Sequence, residues 1–214
     1  ELESLDAVII SHGHNDHTGG LAFYPKRQNK PLLIAHPEIM EPKKAEGLSI
    51  SFPVSEAYLQ DRFAFKLTRE PLWLDEQLVF LGEIPRVNDF ENKKPVGEHC
   101  LADGWHDDYV LDDSALVYKQ KDGIYIITGC SHAGICNIAE YAKQVTGCSV
   151  IKCIIGGLHL FSGHSQQTLA TVDYLKQNVE GTIYPCHCTN LAAKFALHKE
   201  LTVQEVGVGL TLEW

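Results

Sequence analysis

The sequence predicts a mixed α/β (α+β) fold whose key loop leaves the end of a buried strand. Three observations predict it. Five of the six residues 5–10 are apolar, and they run directly into Ser-His-Gly-His-Asn-Asp-His-Thr-Gly-Gly at 11–20. Residues 114–118 and 124–128 read as two strands joined across Asp122-Gly123, the clearest hairpin in the chain. Beyond residue 124, apolar runs alternate with amphipathic helical stretches, whereas the first half is richer in strands.

A chain of 214 residues can bury one large core, and 1–214 reads as a single domain. Hydrophobic residues make up 44% and charged residues 21%, an ordinary globular composition. No apolar run approaches the length of a membrane span, and no signal peptide opens the sequence. A net charge of −10 argues against broad nucleic-acid binding by phosphate neutralisation. It does not exclude a phosphorylated small molecule, because bound dications reverse the field in a pocket. Seven cysteines lie between Cys100 and Cys188, none as Cys-x-x-Cys, and most sit beside apolar residues. They read as reduced thiols of a cytoplasmic protein.

The elements follow in order. Residues 21–24 read as the first turns of a helix, and 31–35 as a short apolar strand. His36 reads as a surface or packing histidine. Phe63, Phe65 and Leu67 alternate as in a half-exposed strand, and 78–81 is a further apolar strand broken by Gly82. Residues 87–113 have little periodicity and hold Glu98, His99, Trp105, His106, Asp112 and Asp113. So long a connection is usually functional, and it reads as a lid-like insertion over the site. After the hairpin come a helix over 137–145 closed by Gly147, a buried strand over 150–155, and a helix over 165–178. A short strand over 182–184, a helix over 190–198 and a final strand over 203–212 complete the chain.

The chemistry is concentrated in 11–20. Residues two apart on an extended backbone share a face, so His12 and His14 converge on one point past the strand end. Asp16 and His17 follow where Thr18-Gly19-Gly20 permits a sharp turn, and they address a second point nearby. His132, His159 and His187 each stand just after a predicted strand, where strand ends aligned on one sheet edge bring distant positions together. The count suits two divalent metal ions, zinc first, with manganese, iron or nickel also accepted by imidazole and carboxylate ligands. One ion takes His12, His14 and a later histidine; the other takes Asp16, His17 and another. Cys186 and Cys188 flank His187 and, on an extended segment, point away from it. Cys130 stands closer to a ligand position.

His12-Gly13-His14-Asn15-Asp16-His17 after an apolar strand resembles the His-x-His-x-Asp-His motif of the metallo-β-lactamase superfamily. Gly-Glu-Ile-Pro-Arg at 82–86, Thr-Gly-Cys-Ser-His at 128–132, Gly-Gly-Leu-His-Leu at 156–160 and His-Cys-Thr at 187–189 look like one subgroup of metal-dependent hydrolases. Some members of that subgroup are dihydropterin or ribofuranosylaminobenzene-phosphate synthases. The resemblance implies an αββα sandwich with metals at the shared edge of two sheets, ligated by His12, His14, Asp16, His17 and His187. The position of the family's aspartate after the hairpin holds Cys130 and then His132, and His132 is assigned as the sixth ligand. The strands that precede the motif in the family are missing, which implies a sandwich incomplete at its N-terminus with exposed strand edges.

The function expected is a dinuclear metal-dependent hydrolase acting on a phosphate ester, phosphodiester or other small-molecule ester through a metal-bound hydroxide. Asp16 orients the nucleophile and shuttles a proton, and His159 contacts substrate without ligating metal. The alternatives are a diiron redox protein on the same scaffold, or a non-catalytic metal-binding fragment.

Overall fold

A computed structural model describes residues 4–214. Among the described residues the strands form three sheets, and the largest sets the site. β11 (Gly123–Thr128), β12 (Ile151–Gly157), β13 (Val179–Cys186) and β14 (Thr202–Val203) run parallel as neighbours. β10 (Ala115–Gln120) pairs antiparallel with β11, and the sheet continues through β7 (Leu78–Phe80) to β6 (Leu72–Trp73). Parallel neighbours end on the same edge, so the residues after β11, β12 and β13 meet there, as in other open α/β sheets. Apart from Lys152, β12 is apolar and mostly buried, as a covered central strand requires.

Helices α3 (Ile135–Thr146), α4 (Gln166–Asn178) and α5 (Leu191–His198) pack on this sheet. Ile138, Ala142, Leu175 and Leu197 join Ile126, Ile154 and Ile183 in one core. The caps are local: Ser165 accepts the Thr168 N–H, Asn190 accepts the Ala193 N–H, and Gly147 closes α3 in the left-handed conformation. The start of α3 has no capping side chain of its own. Instead the Glu91 carboxylate accepts the Cys136 and Asn137 N–H groups at 2.9 and 3.0 Å.

β1 (Ala7–Ile9), β2 (Leu32–Ala35) and β5 (Ala64–Leu67) form a parallel three-stranded sheet. Helix α2 (Glu56–Arg62) contributes Leu59 to its separate core. The Ser114 N–H donates to the Ser11 carbonyl at 2.9 Å and ties the loop after β1 to the start of β10.

Several expectations shift. Residues 19–23 form a 3-10 turn rather than an α-helix. The final strand is only β14, and Trp214 instead packs on Tyr125 with ring centroids 4.9 Å apart. Of the two readings of His36, the structure has the packing one: it is fully buried, held by Glu83 and Arg69. Residues 87–113 carry regular structure where the sequence shows little periodicity. They contain β8 (Gly97–Leu101) and β9 (Gly104–Asp108), which join β3 (Lys43–Ala45) and β4 (Leu48–Ser49) in a small antiparallel sheet. There Trp105 lies under the Lys44 ammonium, His99 pairs with Glu41 and His106 with Asp103.

Candidate metal centre

The loop after β1 carries His12 and His14 into the interior. Gly13 between them cannot carry a side chain, because a Cβ there would lie 2.1 Å from the Ile39 carbonyl oxygen. His14 opens the four-residue turn α1 (Asn15–Thr18), which carries Asp16 and His17. Past β11, Ser131 takes the left-handed conformation and turns His132 toward the same point.

Nitrogens of His12, His14 and His132 lie within 4.8 Å of one another, and all three residues are buried. The Nε2 atoms of His12 and His14 and both ring nitrogens of His132 are buried without a hydrogen-bond partner. Buried polar atoms are rarely left so. Burial pushes the pKa of all three imidazoles below the usual range, furthest for His12 and His132. Burial thus favours their neutral, metal-ligating forms, and this set fits a divalent transition metal.

A second donor group adjoins the first, with the His12 and His17 ring centroids 4.3 Å apart. His187 Nε2 lies 3.0 Å from His17 Nε2 and 3.2 Å from the Asp16 carboxylate. Asp16, His17 and His187 thus form a more exposed triad. The six residues read from sequence therefore fall into two adjacent groups of three.

His159 follows β12 with a left-handed backbone, its ring centroid 4.3 Å from that of His132 and its Nδ1 buried without a partner. It belongs to none of the donor groups found among the described residues. A cavity of about 630 Å³ opens beside His132 and His159, and Lys93, Lys94, Asp89 and the first residues of α4 also line it.

Sequence reasoning misses the support behind the loop. Lys43 is fully buried, with its Nζ 3.0 Å from both Asp108 and Asp112. Burial alone favours the neutral amine, but the two carboxylates outweigh it and raise the Lys43 pKa. Asp113 accepts the Ala133 N–H, stands 4.0 Å from His12 Nδ1, and has its pKa pushed up by burial to about 7. Asp112 and Asp113 thus brace the ligand loops from behind.

Cys188 corrects the expectation that it points away. His187 is left-handed, with φ of 50°, so the strand alternation breaks immediately after β13. The Cys188 sulfur turns back to accept the His159 N–H at 3.3 Å and reaches the Cys130 carbonyl at 3.5 Å. Cys130 Sγ lies 3.1 Å from His17 Nε2. All seven cysteines are free thiols.

The profile of the metallo-beta-lactamase superfamily matches residues 1–187. An uncharacterized protein of Methanocaldococcus jannaschii is 34% identical over 197 residues, spanning 90% of this chain and 72% of its own. The 7,8-dihydropterin-6-methyl-4-(β-D-ribofuranosyl)-aminobenzene-5′-phosphate synthase of the same organism is 31% identical over 203 residues, spanning 90% and 69%. The crystal structure of Tm1679, a metal-dependent hydrolase of the β-lactamase superfamily, matches with a TM-score of 0.84 at 26% identity, covering 97% of this chain and 78% of that one. The chain has the metallo-β-lactamase fold and belongs to the metallo-β-lactamase superfamily.

Proposed function

We propose that the chain is a dinuclear metal-dependent hydrolase of a phosphate-bearing small molecule, a phosphate monoester or diester first and another small-molecule ester second. The observation that carries this reading is the His12–His14–His132 triad, with buried ring nitrogens that lack hydrogen-bond partners, lying directly against Asp16–His17–His187. When bound, two dications supply Lewis-acid polarisation of the scissile group and lower the pKa of attacking water. Zinc suits the imidazole-rich set best, with manganese, iron or nickel as substitutes.

The chain's own residues do the rest. The Asp16 carboxylate stands at the open edge and accepts the proton of the attacking water. His159, beside His132 on the cavity wall, holds a substrate oxygen and donates a proton to it. Lys93 and Lys94 on the cavity wall offset the charge of an anionic substrate. Seven free thiols suit a reducing compartment such as the cytoplasm.

A second reading is a synthase-type reaction on a phosphate-bearing dihydropterin-like compound, favoured by the 31% identity to a synthase of that description. One experiment separates the two. Protein loaded with zinc, manganese or iron is assayed against chromogenic phosphate monoesters, diesters and carboxylic esters. The hydrolase reading expects metal-dependent turnover that is lost in Asp16→Ala. No turnover of any ester with any metal would contradict it and leave the synthase reading ahead.

A further inference from the structure

Two groups of donor atoms share His187. The first, with Asp16 and His17, is the exposed nitrogen and oxygen set described above. The second combines His187 with Cys130 and Cys188, and its nitrogen and two sulfurs also lie within 4.8 Å of one another. The two sets differ in chemistry. The first offers a carboxylate to hard ions; the second offers two sulfurs, which select soft ones.

We propose that Cys130, His187 and Cys188 form a thiolate seat for a thiophilic dication such as zinc, cobalt(II) or cadmium, leaving the Asp16 set to a harder ion such as manganese. The inference rests on the reading that a second ion binds beside the His12 triad, and it names which atoms hold that ion.

Three features support it. The left-handed His187 brings Cys188 to the same side as Cys130, across the ends of β13 and β11. Gly157 leaves room for the Cys188 sulfur, which would lie 2.5 Å from a Cβ at that position. The His159 N–H already donates to that sulfur, as it would to a ligating thiolate. Charge balances as well. Two thiols release two protons on ligation, and the resulting thiolates neutralise the dication. Two cysteines and one histidine with an open fourth position is a known catalytic zinc arrangement.

The test is cobalt(II) loading of the whole protein, read by near-ultraviolet absorption and by metal analysis. The expected result is a thiolate-to-cobalt charge-transfer band that is lost in Cys130→Ser and in Cys188→Ser and kept in Asp16→Asn. Zinc, but not manganese, should protect Cys130 and Cys188 of the unaltered protein from alkylation, read by mass spectrometry. That arm needs no variant to fold. Two bound cobalt ions with no such band, or a band indifferent to both serine variants, would overturn the thiolate seat while leaving the dinuclear reading intact. Failure to bind cobalt or zinc at all would overturn both.

Discussion

The Asp112 carboxylate accepts the Gly13 N–H at 2.7 Å, between the two histidines that open the metal loop. Its other oxygen is held by the Lys43 ammonium at 3.0 Å, and Lys43 also binds Asp108. The loop is thus fixed through its backbone by a buried charge network. Lys43→Met would leave two buried carboxylates without their cation. The expected cost is about 3–5 kcal/mol of unfolding free energy. Asp112→Asn keeps an acceptor for Gly13 and should cost less. Denaturant unfolding of metal-free protein checks both, and a Lys43→Met cost under about 1 kcal/mol would contradict the role.

Gly13→Ala tests the loop from its other side. The added methyl would meet the Ile39 carbonyl, a backbone atom that cannot swing away. The loop must shift and spoil the approach of His12 to His14. Metal content at the His12 triad should fall to less than half in this variant, measured by elemental analysis, while the same change at the open Gly20 should leave it unaltered.

Glu91 predicts a pH effect away from the metals. Burial raises its pKa, against the opposing N–H groups of Cys136 and Asn137 and the Asn88 amide. A carboxyl whose folded pKa lies above its unfolded value, about 4.3, stabilises the fold fully below that unfolded value. The contribution is lost as pH rises through the folded pKa. The melting temperature of the metal-free protein, compared with that of Glu91→Gln, should therefore move in the variant's favour as pH rises through the carboxylate range. A difference that is flat with pH, or that moves the other way, would contradict this.

His159→Ala should separate substrate handling from metal binding. Under the proposed function kcat/KM falls at least about tenfold, roughly 1.4 kcal/mol of transition-state stabilisation, with metal content unchanged. Loss of a metal equivalent would make His159 a ligand instead.

Much of this was legible because it is local. The apolar run before His12, the Asp122-Gly123 hairpin, and the helix starts at Ser165 and Asn190 each declare themselves within a few residues. The convergence of His132, His159 and His187 was legible from strand-then-histidine order, since parallel neighbouring strands must end together. Lys43 was not legible: its partners are 65 and 69 residues away, and no periodicity marks a lysine destined for burial. β8 and β9 escaped because their Glu, His and Asp residues show no apolar alternation. Cys188 was misread because one left-handed residue, His187, reverses the facing that an extended chain dictates.

The central claim is that two adjacent donor groups hold two ions. Anomalous diffraction from crystals grown with zinc tests it most directly. The account predicts two peaks. One lies about 2.0–2.1 Å from nitrogens of His12, His14 and His132, and the other is ligated by His187, with Cys130 and Cys188 for zinc. A single peak, or a peak away from His12 and His187, would contradict it.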